Sequence, residues 1–256
     1  MTLSLISFAT NFSLGASLGV AGGMLGIGGG LIAIPILGLL YGMDQHLAQG
    51  TALVMIAPNV LLGLLRYHQK NPVDFRSVAL ISVFSMVTTY LAARFAVGID
   101  ADVLHLAFAL FLIALALYFG WPKGRAAAHE EPGKPIPRPL LPVIGMASGA
   151  MSGFFTIGGG LVVVPALVSL FRMRQTRAQA TALALVVPSA FIALATYGQA
   201  GQVDWEIGLP MALGGVLSVS WGVHLAHQLP APLLRWLFCA VLVGTAAVML
   251  ATSAAT

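Results

Sequence analysis

Ten apolar blocks follow one another along this chain, at roughly residues 4–24, 29–43, 48–65, 77–97 and 102–121, then 140–156, 159–171, 178–197, 207–226 and 232–252. Most approach the ~20 residues with which a helix crosses a hydrocarbon core, and the strict apolar–polar alternation of a β-barrel is absent. Composition agrees: 59% of the 256 residues are hydrophobic and 8% are charged, against about 25% charged in an ordinary soluble domain. A water-soluble surface cannot be built from so few charges. The chain reads as an all-α polytopic membrane protein.

The linker "PKGRAAAHEEPGKPIPRP", residues 122–139, is the one long polar stretch, and its Pro, Gly and charge content marks it as solvated. It divides the chain into an N-terminal transmembrane repeat, 1–121, and a C-terminal one, 140–256. The opening "MTLSLISFATNFSLGASLGV" lacks the basic start of a secretory signal and is expected to be retained. A single cysteine, Cys239, lies inside an apolar block, which leaves no disulfide or CxxC site within one chain and suits a packing role. The net charge of +4 sits in short loops and not on one face, so it reads as a topology signal and nucleic acid is not an expected partner.

Residues 15–76 align without a gap with residues 145–206, at about 24 identities in 62 positions. The identities gather at Gly28, Gly29, Gly30, Pro35, Gln45, Gln49, Thr51, Pro58, Tyr67, Gln69 and Asp74, matched by Gly158, Gly159, Gly160, Pro165, Gln175, Gln179, Thr181, Pro188, Tyr197, Gln199 and Asp204. Lys and Arg are enriched in cytoplasmic loops. On that rule the segments holding Arg66, Lys70 and Arg76, the linker, and the segment with Arg172, Arg174 and Arg177 are cytoplasmic, while the acidic "GQAGQVDWEIG" and "VGIDAD" face outward. Both termini then lie outside, provided that the first two blocks together return the chain to its starting side. "RYHQKNPVDFR" and its repeat partner "TYGQAGQVDWE" thus fall on opposite sides, so the two repeats are expected to have inverted topology. Block two, at about 15 residues, is short for a span. Ten crossings, or six with re-entrant hairpins, both fit the pattern.

"GGMLGIGGGLIAIP", Gly22 to Pro35, returns as "GFFTIGGGLVVVP", Gly153 to Pro165. Three glycines in a continuous helix would cost about 1 kcal/mol each relative to alanine. Broken or re-entrant helices are therefore expected at Gly28–Gly30 and Gly158–Gly160, with two helix N-termini facing one another near the midplane and offering N–H donors to a small anion. The other reading is that the glycines only permit close helix packing. "AQGTAL" and "AQATAL" add Gln49, Thr51, Gln179 and Thr181, uncharged side chains able to complete an oxyanion site or, alternatively, to cap and cross-link helices. Asn59 and Ser189, each following a helix-breaking proline, are candidates for lining the path.

No Asp, Glu, Lys or Arg lies near the centre of a block, and no internal proton carrier is visible. His224 and His227 share a spacing of three without a nearby carboxylate or thiol, so neither a metal site nor any cofactor is expected. "GMLGIGGGL" is followed by no Lys-Ser/Thr and is no P-loop, "GIGGGL" lacks the third glycine of a dinucleotide fingerprint, and "GMASGAMSGF" has no partnered histidine; an enzyme is not expected.

The doubled "GIGGG…P", "QGTAL", "QATAL" and the "GQVDW" loop resemble the sulfite exporter TauE/SafE family of membrane permeases, over nearly the whole chain outside the linker. The resemblance implies a duplicated helical fold in a bacterial cytoplasmic membrane that moves sulfite, sulfoacetate or a related organosulfonate. Combined with the residues, it predicts a secondary transporter, most naturally an exporter, with a small anionic substrate and the lipid bilayer as partners. The alternatives are an anion channel, an uptake permease for another small organic acid, or a structural membrane protein. The runs of small residues suit a homodimer contact as well as packing within one chain.

Overall fold

The computed structural model describes residues 5–26, 28–70, 75–120, 140–157, 159–171, 173 and 175–253. These form ten helices: α1 (Leu5–Leu25), α2 (Gly30–Tyr41), α3 (Gln45–Lys70), α4 (Phe75–Val97), α5 (Ala101–Gly120), α6 (Leu140–Phe155), α7 (Gly160–Phe171), α8 (Gln175–Gln199), α9 (Trp205–Gln228) and α10 (Ala231–Ser253). Each apolar block became one helix. The linker, Asp74 of the repeated set and Gly158 of the candidate site lie outside the described residues.

Five of the helices are long and apolar enough to cross a membrane: α1, and the bulk of α3, α5, α8 and α9. α2 and α7 are not. Twelve residues each rise about 18 Å, well short of a ~30 Å core. The Tyr41 hydroxyl at the end of α2 donates to Asn11 Oδ1 in the first half of α1. α2 therefore runs back alongside α1, and the first two helices form a hairpin whose tip is the glycine run.

The tightest packing joins the two halves. Gly15, Gly19 and Gly23 of α1 lie against Met211, Gly215 and Val219 of α9, so closely that an added methyl would overlap the partner's backbone at each. Gly145, Gly149 and Gly153 of α6 lie in the same way against Ile81, Ser85 and Thr89 of α4. Both contacts advance in the same direction along their helices, so each pair is parallel. They also occupy equivalent repeat positions, and every other major pairing obeys the same exchange of halves: α3 with α9 matches α8 with α4, and α2 with α3 matches α7 with α8. Small residues four apart let helix axes approach where no water drives association. In this chain the small-residue runs serve packing within the chain.

α3 and α8 pair with each other. Gln49 near the start of α3 meets Tyr197 near the end of α8, and Gly63 lies 3.6 Å, measured from an added methyl, from Leu183. One antiparallel register accounts for both contacts. It also sets Pro58 opposite Pro188 at the centre and Tyr67 opposite Gln179 at the far end.

One end of the bundle gathers the starts of α3, α5 and α9 with the ends of α4 and α10. His46 Nε2 lies 3.0 Å from Ala96 O, His105 Nε2 lies 3.0 Å from Met249 O, and the Asp204 N–H donates to Thr51 Oγ1 at 3.0 Å. α1, parallel to α9, starts at that end too. The first and last described helices thus begin and finish on one side, and Arg66 and Arg177 stand at the other.

Exposed leucines and one tryptophan spaced four apart, Leu209, Leu213, Leu217 and Trp221, form an apolar stripe on α9, and Val83, Val87, Leu91 and Phe95 do so on α4. In water such stripes would be sticky patches; against acyl chains they are the expected outer face of a membrane bundle.

Candidate functional site

The helix break between α1 and α2 is built by backbone conformation. Gly26, Gly28 and Gly29 all have left-handed φ, at 71°, 73° and 89°. Gly29 is the N-cap of α2, no side chain caps it, and its carbonyl accepts from Ile32 N (3.2 Å) and Ala33 N (3.1 Å). A side chain at Gly29 would be strained by φ and would press a Cβ to 2.8 Å from Leu18 O. Both readings of the glycines therefore apply there: they break the helix and they allow close approach.

The second break differs in one instructive respect. Thr156 occupies the repeat position of Gly26 and keeps the left-handed conformation, φ 57°, although it is β-branched and 1% exposed. Its hydroxyl donates to Phe155 O at 2.7 Å and its N–H to Ser152 O at 3.0 Å. The Gly159 N–H is already spoken for, donating to Ser152 Oγ at 3.2 Å, whereas the equivalent of Ser152 at the first break is Gly22. The two helix starts are thus unequal in the donors they have left to offer. Non-glycine residues in this region carry about 1–2 kcal/mol of strain. Thr156→Gly is expected to hold stability within about 1 kcal/mol, because the strain released is offset by the greater freedom of glycine in the unfolded chain and by loss of the buried hydroxyl and its hydrogen bond. Thr156→Val, which keeps the branch and loses the hydroxyl, is expected to lower it; thermal unfolding of the two variants checks both.

The breaks meet. A methyl built on Gly30 would lie 3.7 Å from Ile157 Cα, and one on Gly160 3.9 Å from Gly26 O. Gly28 and Gly30 rest on Ile56 and Val60, either side of Pro58, and Gly160 rests on Ala182 and Val186 just before Pro188. The meeting point is therefore halfway along the α3–α8 pair.

Around it the uncharged candidates are buried, each for its own reason. Gln179 Nε2 donates to Leu25 O at 3.3 Å, beside Gly26, leaving Oε1 without a partner. Gln49 Oε1 accepts from Tyr197 at 2.7 Å, leaving Nε2 without one. Neither amide atom of Asn59 has a partner; the side chain fits against Gly215. At the equivalent place in the other half, Ser189 and Ser85 bond each other at 2.8 Å. One half uses a large residue against a small one and the other uses two of middle size.

Thr51 and Thr181 are turned to structural work. Thr51 Oγ1 receives the Asp204 N–H, tying the "GQVDW" loop to α3, while Asp204 itself caps α9 by accepting from Glu206 N (2.9 Å) and Ile207 N (3.1 Å). Thr181 donates to Arg177 O, one turn back in its own helix. Ser189 likewise also donates to Leu185 O at 3.2 Å. Of the twelve sequence candidates, the structure brings Gly28, Gly29, Gly30 and Gly160 to the central meeting point; Gly159 packs on Ser148, Asn59 and Ser189 follow the prolines at that level, Gln179 touches Gly26 from the Tyr67 end, and Gly158 lies outside the described residues. Gln49 stands toward one end, opposite Tyr197. His227, bonded to Val223 O at 2.8 Å, packs at a tilt against Tyr67 with ring centroids 5.1 Å apart, and His224 lies 2.9 Å from Gln228.

Sequence reasoning passed over Tyr67, Tyr197, Ser152 and Thr156 as site residues. The tyrosines carried a signal, since both are repeat identities, while Ser152 and Thr156 are departures from the repeat and carried none.

Chemically, the site is a buried set of backbone dipoles and neutral amides. Such groups can bind and release without proton transfer. Two open grooves lie on the outside of the bundle. One, of about 670 Å³, opens among Val20, Arg66, Gln69, Ser220, Trp221 and His224 at the Tyr67 end, where Arg66 Nε donates to Ser220 Oγ at 3.1 Å. The other, of about 490 Å³, lies among Phe191, Leu194, Gly198, Gln199 and Trp205 at the Tyr197 end.

The family model for the sulfite exporter TauE/SafE matches residues 12–249. A probable membrane transporter protein of Xylella fastidiosa is 30% identical over 231 residues, covering 89% of this chain and 86% of the relative. One from Methanocaldococcus jannaschii is 27% identical and covers 90% of both chains, and one from Bacillus subtilis is 25% identical over 82% of this chain and 85% of its own. No solved structure matches. With a family model matched across nearly the whole helical bundle and relatives named as transporters along nine-tenths of its length, this chain belongs to the sulfite exporter TauE/SafE family of membrane transporters.

Proposed function

We propose that this membrane transporter is a secondary carrier of a small sulfur-containing anion, sulfite or an organosulfonate such as sulfoacetate, and that it works as an exporter. The observation that carries the reading is the meeting of two helix breaks halfway along the α3–α8 pair, with buried amides that have atoms to spare in the same two helices: Gln179 Oε1, its side chain against Gly26, both polar atoms of Asn59, next to Pro58 and against Gly215, and Gln49 Nε2. Unpaired buried amide groups are costly. Groups kept in that condition in the two helices against which the helix starts meet are suited to a ligand that supplies their missing partners, and the positive ends of the α2 and α7 dipoles favour an anion.

The antiparallel course of α3 and α8, which derive from one duplicated segment, supports inverted repeats 1–121 and 140–256 joined by the linker 122–139. With the Arg66 and Arg177 end in the cytoplasm of a bacterial cell, both termini lie outside. A negative interior then favours outward movement of an anion by about 2.3 kcal/mol per charge per 100 mV.

The test is thermal unfolding of the purified protein with sulfite, sulfate, thiosulfate, sulfoacetate, taurine and an uncharged control. A ligand at a hundred times its Kd stabilises the folded state by about 2.7 kcal/mol. The expected result is a raised midpoint with sulfite or a sulfonate, lost in a Gln49→Leu, Gln179→Leu double variant that still folds. Equal midpoints with every anion, together with no sulfite flux in proteoliposomes, would overturn the substrate assignment.

A further inference from the structure

The α3–α8 register makes a second statement. It places a glutamine opposite a tyrosine at each end of the pair, Gln49 with Tyr197 and Gln179 with Tyr67, and duplication makes the two pairs equivalent. Only one of them is bonded. Tyr197 donates to Gln49 at 2.7 Å. Tyr67 instead reaches Gly23 O at a long 3.4 Å, and Gln179 turns to Leu25 O with its Oε1 left over. Both tyrosines are 0% exposed, so the difference is not one of solvent. Equivalent residues in equivalent places hold two states of one interaction.

We propose that Tyr197 and Tyr67 are positioning residues that take turns: each latches its opposite glutamine when its own end of the α3–α8 pair is closed, and the structure shows the state with the Tyr197 latch made and the Tyr67 latch released. The inference rests on the transporter reading, since alternation of the two ends is what a carrier requires. Two further observations fit it. The released pair leaves an unpaired acceptor, Gln179 Oε1, available to a Tyr67 hydroxyl that now has only a long bond. The prolines Pro58 and Pro188 stand opposite each other at the midpoint, where each removes a helical hydrogen bond and lets its helix bend about the site.

In the alternate state Tyr67 donates to Gln179 Oε1, and Tyr197 turns to the carbonyl of Gly153, the repeat equivalent of Gly23. No bond other than hydrogen bonds changes, and the amides at the site are handed over one at a time.

The experiment uses the full chain with Cys239→Ala as background and a thiol reporter at either Gly63→Cys or Ala193→Cys, equivalent buried positions near the two ends of the interface. A side chain fits at Gly63, where the nearest atom is 3.6 Å away. Tyr197→Phe, which deletes only the hydroxyl, is expected to raise labelling of the Ala193→Cys reporter and lower that of the Gly63→Cys reporter. Tyr67→Phe is expected to do the reverse, and the double variant to return both toward the parent. Each change should be about threefold to tenfold, the population shift from losing one neutral hydrogen bond in one of two states. Changes of the same sign in both single variants, or none in either with folded protein, would overturn the proposal. The labelling needs no substrate. Opposed shifts in a protein that no sulfur anion stabilises would leave the latch standing and remove only the substrate assignment.

Discussion

Gly19→Val is expected to abolish folded protein, and Gly149→Val to do the same. Even a methyl on Gly19 would overlap the Gly215 backbone and the Ser218 side chain, and one on Gly149 would overlap Ser85 O and the Thr88 hydroxyl. Valine adds two further carbons into a contact whose other side is a helix backbone, which has no rotamer to yield with. The helices must move apart, and the contacts above and below, Gly15 on Met211 and Gly23 on Val219, are lost with them. Overpacking typically costs about 1–3 kcal/mol where side chains give way; against backbone the cost is at least the upper end of that range. Since α1 and α9 belong to different halves, and α6 and α4 likewise, the loss falls on the contacts that hold the halves together. Detergent-solubilised variants should run as aggregates by size-exclusion chromatography. Gly244→Ala is the matched control: nothing lies within 4 Å of its added methyl, and a mid-helix glycine exchanged for alanine gains about 0.5–1 kcal/mol. Wild-type melting of Gly19→Val would show that α1 and α9 do not pack as described.

The sequence made the helices legible because burial in lipid requires long apolar runs, and nothing else in this chain competes with that signal. Boundaries erred where polar residues continue a helix. The third block was expected at 48–65, yet α3 runs Gln45–Lys70, because Gln45 and His46 at its start are buried against α5 and α4 through His105 and Ala96, and the helix continues through the polar residues that follow Leu65. The helix breaks could be read from the glycine runs, since a free helix interior tolerates no such run. Which helix would pack on which could not be read. The Gly15, Gly19 and Gly23 stripe has its partner in α9, nearly 200 residues away, and a four-residue spacing of small side chains names no partner. Asn59 illustrates the same limit at the site. That it follows Pro58 was visible, but that it fits into the space left by Gly215, where the other half has Ser85 against Ser189, depends on a pairing between repeats. The role of the tyrosines was hidden for a further reason. Repeat identity shows that a position matters in both halves, whereas their function as argued above lies in the two halves being momentarily unlike.

Gly160→Ala is expected to leave a well-folded protein that transports poorly, and it separates the two explanations of the glycine runs. At Gly29 they cannot be separated, because φ of 89° and the nearness of Leu18 O make any side chain a folding defect. Gly160 is different. It is the first residue of α7, its φ is not left-handed, and its added methyl finds Val186 at 3.8 Å, Ala182 at 3.9 Å and Gly26 O at 3.9 Å, all ordinary contact distances. Alanine also loses less conformational freedom on folding, so stability should hold or rise by up to about 1 kcal/mol. If close packing were the whole reason for glycine at this position, transport would survive. If the space between the breaks must admit an anion to the backbone donors of α7, a methyl aimed from Gly160 toward Gly26 stands where that anion has to pass or sit. Loss of about 3 kcal/mol of binding, the scale on which removing or blocking a hydrogen-bonded charge contact acts, would lower affinity by about two orders of magnitude. The measurement is sulfite or sulfoacetate flux in proteoliposomes beside the melting midpoint of the same preparation. An unchanged midpoint with strongly reduced flux assigns the gap between the helix starts to the substrate, and an unchanged midpoint with unchanged flux assigns Gly160 to packing and moves the site along α3 and α8 toward Gln49.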